Sequence, residues 1–201
     1  MKSDVFNMDC LKAMKNYPNK YFDLAIVDPP FGIGNFVQTV GNARGEKVTW
    51  NEETPSQEYF EELKRVSKHR IIFGANYYNC FESGAIVWIK NQPMPNFSKA
   101  VIASCSFHNR VEIYTQTWTN FVHEGRSNIH PCEMPVAIYR WLLQNYAKKG
   151  DIILDTHLGS GSSRIAADIE GYDFTGYELD TNYFNASVKR FNEYKLQTKL
   201  L

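Results

Sequence analysis

Apolar residues along the chain fall into two patterns. Short unbroken runs (Leu24 to Val27, Ile71-Ile72-Phe73, Gly84 to Ile89, and Ile152-Ile153-Leu154) have strand length and no polar face, as expected of strands buried on both sides. Over Glu53 to Ser67 (Tyr59, Phe60, Leu63, Val66) and Pro135 to Tyr146 (Val136, Ile138, Tyr139, Leu142, Leu143, Tyr146), apolar positions recur at three- and four-residue steps, which predicts amphipathic helices. Val5 to Met8 and Phe174 to Tyr177 read as further strands, and the partly alternating Val101 to Ser104 and Arg110 to Tyr114 as a pair. Cys10 to Tyr17, entered through Asp9 and stopped by Pro18, reads as a helix, as do Arg164 to Glu170 and Asp180 to Phe191. Lys68-His69-Arg70 reads as the solvated basic end of the second helix. Strands alternating with helices make this an α/β chain.

Two of the buried strands end in an acid followed by residues that do not continue the strand; for the first, an ordinary proline-containing turn is the competing reading. The first is Asp23 to Val27 followed by Asp28-Pro29-Pro30-Phe31-Gly32. In open α/β sheets, ligands bind beyond the carboxyl ends of the strands, which is where Asp28 falls. The two prolines fix the turn and the direction of their carbonyls. A carboxylate, a rigid carbonyl and an aromatic ring within four residues suit a flat amine: two acceptors for its N–H groups and a face to stack on. The second is Asp151 to Asp155, then Thr156-His157-Leu158-Gly159-Ser160-Gly161-Ser162-Ser163, then a helix. A strand, a Gly-Ser-Gly loop and a helix start bring backbone N–H groups close to a ligand. About twenty residues on, a strand ends in Glu178, the position of the acid that holds ribose hydroxyls in nucleoside-binding sheets.

Composition narrows the partners. The 201 residues are 43% hydrophobic and 14% aromatic, enough for one domain spanning 1–201 with a substantial core. Lys+Arg and Asp+Glu are both 22, so a nucleic acid would have to be met by a local patch or by two subunits together. Cys10, Cys80, Cys105 and Cys132 form no CxxC pair, which argues against a zinc ribbon or disulfide framework and for reduced thiols. No run is long enough to span a bilayer and no apolar leader is read at the start, so the expected compartment is the cytoplasm. None of the five histidines lies in a ligand-like spacing, and no metal is expected. The Gly- and Asn-rich segment 33–50 is expected to be a lid, and 91–129 to hold a small recognition region.

The order of the motifs resembles a known family. Asp9-Cys10 after one strand, Asp28-Pro29-Pro30-Phe31 after the next, His130-Pro131-Cys132-Glu133-Met134-Pro135, then Asp155 to Ser162 and Glu178 are similar to the circularly permuted (β-group) S-adenosylmethionine-dependent DNA amino-methyltransferases of restriction–modification and phage systems. The resemblance covers essentially the whole chain. It implies a Rossmann-like, mostly parallel seven-stranded sheet with an antiparallel hairpin, and S-adenosylmethionine as cofactor. Asp28, Pro29, Pro30 and Phe31 would be the catalytic residues. Cofactor contacts would come from Asp9, Cys10, Asp28, His130, Asp155, His157, Gly159, Ser160, Gly161, Ser162, Glu178 and Leu179. The partner would be double-stranded DNA, bound by one copy or by a homodimer, with the target base flipped out of the stack. An Asp at the head of the tetrapeptide favours adenine N6. Cytosine N4, an RNA substrate and an inactive partner subunit are the alternatives. Cys132 and Met134 stand where the family usually has Thr and Lys, so Ser160, Ser162 or Ser163 would have to hold the cofactor carboxylate.

Overall fold

The structure, a computed structural model, describes residues 1–34, 51–92, 95, 98–117 and 129–198. Its elements in chain order are β1 (Ser3–Asn7), α1 (Cys10–Met14), β2 (Phe22–Val27), α2 (Gln57–Val66), β3 (Ser67–Phe73), α3 (Ala75–Tyr78), β4 (Gly84–Ile89), β5 (Ala100–Cys105), β6 (Val111–Thr115), α4 (Val136–Tyr146), β7 (Ile152–Asp155), α5 (Ser162–Glu170), β8 (Asp173–Glu178) and α6 (Thr181–Thr198). Eight strands form one sheet in the order β1-β8-β7-β2-β3-β5-β4-β6. β2 therefore lies in the interior between β7 and β3, parallel to both. Leu24 faces Ile153 and Ala25 faces Leu154, so the carboxyl ends of β2 and β7 meet side by side and bring Asp28 next to Asp155.

The continuous apolar runs reflect cores on both faces of the sheet. On one face Leu24, Ile26, Ile71, Phe73 and Ile153 pack with Ile138, Leu142 and Leu143 of α4 and Ala166 and Ala167 of α5. On the other, Ala25, Val27, Ile72, Leu154 and Tyr177 pack with Ala13 and Met14 of α1 and Tyr59, Leu63 and Val66 of α2. Every residue of β2 except Asp23 is buried. Asp23 sits at the amino end, where it pairs with Lys68 at 2.5 Å.

The α/β reading and the mostly parallel sheet are borne out, with changes of detail. The sheet has the eight strands read from the residues, one more than the seven that the resemblance implies. β5 and β6 are not partners: β4 lies between them, antiparallel to β5 and parallel to β6. The antiparallel hairpin is thus β4–β5, and alternation alone could not say which of three short neighbouring strands was central. Helix α2 starts at Gln57 and not at Glu53, since Pro55 precedes it and Ser56 Oγ accepts from Tyr59 N–H. It ends at Val66, so Lys68-His69-Arg70 lies in β3 and not on a helix end. There Arg70 is buried against Glu82 at 2.6 Å. α1 stops at Met14, short of Tyr17: the chain goes on in tighter turns, with Tyr17 N–H donating to the Met14 carbonyl at 3.0 Å, and the Arg65 guanidinium caps the Met14 and Tyr17 carbonyls at 2.9 and 2.8 Å. α6 runs on past Phe191, and α3 was not foreseen. The expected lid falls on residues outside those described apart from 33 and 34; of the expected recognition region, 93, 94, 96, 97 and 118–128 also lie outside them, and the rest includes β5 and β6. Among the described residues no helix is long and apolar enough to cross a membrane.

Ile26, 1% exposed at the centre of β2, tests how far the sheet depends on this strand. Ile26→Ala should cost about 2–5 kcal/mol, read as a lower urea midpoint with an unchanged slope. A midpoint within error of wild type would show that β2 is not where the core is tightest.

Candidate active site

At the carboxyl ends of β1, β8, β7 and β2 opens a cavity of about 790 Å³. Asp9, Cys10, Asp28, Pro30, His130, His157, Gly159, Ser160, Ser162, Glu178 and Leu179 line it. These come from separate stretches of sequence. The permuted motif order therefore converges on one site because the parallel strands deliver their carboxyl ends to the same edge.

The Gly-rich loop after β7 is held from below and from both sides. Asp155 is buried; Oδ1 accepts from His157 N–H at 2.9 Å and Oδ2 accepts from Ser163 Oγ. Gly159 and Gly161 adopt φ of +51° and +79°, left-handed backbone that favours glycine. A Cβ on Gly161 would also lie 3.2 Å from Ser187 Cβ of α6. Glu178 ties the loop to its own strand: Oε2 accepts from Gly159 N–H at 2.8 Å and Oε1 from Asp180 N–H at 2.9 Å. Each oxygen keeps a second lone pair for a ligand. Arg190 reaches in from α6, donating to the Ser160 carbonyl at 3.1 Å and Ser162 Oγ at 3.0 Å. It also pairs with the fully buried Glu133 side chain at 3.2 Å. Ser163 is committed to Asp155, which leaves Ser160 and Ser162 as the loop serines on the cavity wall.

Asp28 forms the opposite wall. Its Oδ1 is buried with no hydrogen-bond partner. Burial, then the nearby Asp155, pushes its carboxyl up to about 7, with Lys90 pulling the other way. Asp155, also buried but hydrogen-bonded, is pushed up to about 6. The Pro29 carbonyl accepts from Tyr78 Oη, and Phe31 N–H donates to Asn51 Oδ1 at 2.7 Å. The Phe31 ring stacks on Tyr77 with centroids 4.8 Å apart and planes 10° from parallel. It also lies where a Cβ on Gly74 would come within 2.3 Å. Gly74, with φ +74°, is thus required twice, by its backbone and by the ring it admits.

The cavity lining is acidic, with Glu133 paired to Arg190 behind it. Asp9, Asp28, Glu53, Glu133, Glu178 and Asp180 line the cavity, and among the described residues no Lys or Arg does. Burial pulls His157 and His130 down to about 4, so both are neutral at physiological pH. His157 Nδ1 lies 2.9 Å from Thr156 Oγ1, which lies 2.6 Å from Tyr59 Oη. Such a surface favours a ligand with positive charge over a dinucleotide with its phosphates.

Of the residues expected at the site, Pro29, Phe31, Asp155 and Gly161 are not among those lining this cavity but are chain neighbours of residues that are. Asp9 caps α1, its Oδ1 accepting from Leu11 N–H at 2.8 Å, and still faces the cavity. Arg190, Tyr59, Tyr77, Tyr78 and Gly74 were missed. Each lies far in sequence from the motif it supports, and no local pattern links them. Among the described residues no cluster of His, Cys, Asp and Glu could hold a metal ion.

Residues 103–189, from β5 into α6, match the DNA methylase family. The Type II methyltransferase M.HinfI of Haemophilus influenzae is 23% identical over 93% of this chain and 67% of its own length. Among solved structures, the M1.HpyAVI–SAM complex matches with a TM-score of 0.60 at 17% identity, over 93% of this chain and 98% of that one. The cytosine-N4-specific PvuII DNA methyltransferase matches with a TM-score of 0.64 at 13% identity, over 95% and 86%. The chain is related to the DNA amino-methyltransferases. The resemblance read from its motifs therefore stands, and the fold is that of S-adenosylmethionine-dependent methyltransferases. The family match begins after β3, so the Asp28 tetrapeptide lies outside it.

A carboxyl that ionises less readily in the folded chain than in the unfolded one lowers stability as pH rises between its two pKa values. For Asp28 that window runs from the ordinary carboxylate range to about 7. Asp28→Asn should therefore melt higher than wild type at pH 8, with the gain fading towards pH 4. A lower melting temperature at pH 8 would mean that the ionised carboxylate has a stabilising partner.

Proposed function

We propose that this chain transfers a methyl group from S-adenosylmethionine to the exocyclic N6 amine of adenine in double-stranded DNA, the base being flipped out of the helix. The observation that carries this reading is the unpartnered Oδ1 of Asp28 on the wall of an acid-lined cavity, one strand away from the Gly-rich loop. S-adenosylmethionine fits that cavity by charge, since its sulfonium and ammonium outweigh its carboxylate. When bound, it supplies a methyl group on a positively charged sulfur, open to attack by nitrogen.

Glu178 would hold the ribose hydroxyls, Asp9-Cys10 and Leu179 the adenine end, and the loop from His157 to Ser162, with His130, the methionine end. Ser160 and Ser162, braced by Arg190, would receive the cofactor carboxylate where Met134 stands in place of the family's lysine. Extruding the base costs a few kcal/mol, which stacking against the Phe31–Tyr77 aromatic pair offsets in part. The lone pair of an adenine amine is delocalised into the ring, so the amine is a weak nucleophile. Asp28 and the second lone pair of the Pro29 carbonyl would accept its two N–H groups and turn the nitrogen's lone pair towards the methyl. Both acceptors bind more strongly as nitrogen gains positive charge, so they favour the transition state over the ground state. Holding the amine in line with the sulfonium supplies a large further share of the rate.

The likeness to a structure described as cytosine-N4-specific supports cytosine N4 as the second reading, with the same residues in the same roles. Incubation with labelled S-adenosylmethionine and unmethylated duplex DNA, followed by digestion and mass analysis of the nucleosides, decides between them. N6-methyldeoxyadenosine is expected; N4-methyldeoxycytidine would move the target base, and an unlabelled digest would contradict the proposal. Asp28→Ala should abolish transfer while leaving cofactor affinity nearly intact. Glu178→Ala should weaken the cofactor about ten- to a hundred-fold, the worth of hydrogen bonds to a charged group.

A further inference from the structure

Asp28 has a counterpart that the reading above does not use. In strand backbone, residues two apart share a face, so Asp28 projects on the same face as Leu24 and Ile26, and Lys90 on that of Ile86 and Trp88. All four apolar residues belong to the core cluster under α4. Lys90, immediately after β4, is half-buried, its ammonium 5.0 Å from the centroid of the Trp88 ring. Its electrostatic neighbours are Asp28 and Cys132, both on the cavity wall. No ion pair joins Lys90 to Asp28, and Asp28 Oδ1 has no hydrogen-bond partner. A donor and an acceptor of opposite charge thus lie on one side of the sheet with no ion pair between them, the acceptor oxygen buried and the half-buried lysine just outside the cavity lining. The buried Asp28 oxygen is costly to leave unsatisfied.

We propose that Lys90 donates a hydrogen bond to the ring nitrogen beside the target amine, so that Asp28 and Lys90 together read an amidine edge, an amine and a ring nitrogen carried by one carbon. The proposal rests on the methyltransferase reading above and adds how the base is chosen. Adenine presents its exocyclic amine beside the N1 acceptor, and cytosine its amine beside the N3 acceptor. Thymine would set its O4 against the Asp28 carboxylate and its ring N–H against the ammonium, leaving both unpaired. A hydrogen bond on the ring nitrogen draws density from the amine, so Lys90 seats and selects the base; activating the amine remains the work of Asp28.

The test compares a duplex carrying the mapped target adenine with one carrying 1-deazaadenine there, in which C–H replaces N1. If cytosine proves to be the target, 3-deazacytosine takes its place. The analogue pairs more weakly and has a more electron-rich amine, and both effects favour faster transfer. Wild type should nevertheless lose about ten- to a hundred-fold in kcat/KM on the analogue. Lys90→Met should lose a similar factor on the natural duplex with S-adenosylmethionine affinity unchanged by calorimetry, and should show no further loss on the analogue. Equal wild-type rates on the two duplexes would overturn the proposal alone, and that arm needs no variant to fold. Losses that multiply would assign Lys90 a structural role instead. No transfer even to the natural duplex would overturn the reading beneath it.

Discussion

The site depends on one carboxylate oxygen, Oδ1 of Asp28, buried without a hydrogen-bond partner. Asp28 could be relieved by one turn of loop or one nearby hydroxyl, as Asp155 is relieved by Ser163 and the His157 N–H. It is not. β2 is buried on both faces and stops at Asp28, and the two prolines that follow fix the chain's exit and offer no N–H to turn back on the acid. Tyr78 is directed to the Pro29 carbonyl and Asn51 to the Phe31 N–H, so the polar groups nearby are spent on shaping the turn. The folded chain leaves one acceptor poised for a donor that comes from outside.

The rest of the architecture brings that donor's partner alongside. β7 lies next to β2, so the loop after β7 opens beside Asp28. Its conformation is fixed from three directions: Asp155 beneath, Glu178 from β8, and Arg190 with Glu133 from the α6 side. The acids that line the cavity are unfavourable to one another when it holds only water. They become favourable when a cation enters, which ties ligand charge to the stability of the loop around it.

The sequence made the motifs legible because they are local. Asp28-Pro29-Pro30-Phe31 and Gly159-Ser160-Gly161 each combine buried strand, acid and turn chemistry within a few residues, and the strands' shared direction then forces them together. What failed was non-local. Which of β4, β5 and β6 lies in the middle depends on pairing energies among three short strands. The carbonyls at the end of α1 are capped by Arg65, about fifty residues away in sequence. The passage of Lys68-His69-Arg70 into β3 depends on Glu82 and Asp23 as ion partners. The supports of the site, Arg190 for the loop, Tyr78 for Pro29 and Gly74 for Phe31, were hidden for the same reason.

Asp28 Oδ1 is expected to stay buried and without a hydrogen-bond partner until substrate arrives. The most direct measurement is a carbon NMR titration of the Asp28 carboxyl, assigned by its disappearance in Asp28→Asn, in the free protein and with S-adenosylmethionine added. A midpoint near 7 in the free protein, moving down when the sulfonium binds nearby, is the result predicted. A midpoint in the ordinary carboxylate range, unchanged by S-adenosylmethionine, would mean that the carboxylate is solvated or paired, and would contradict the account.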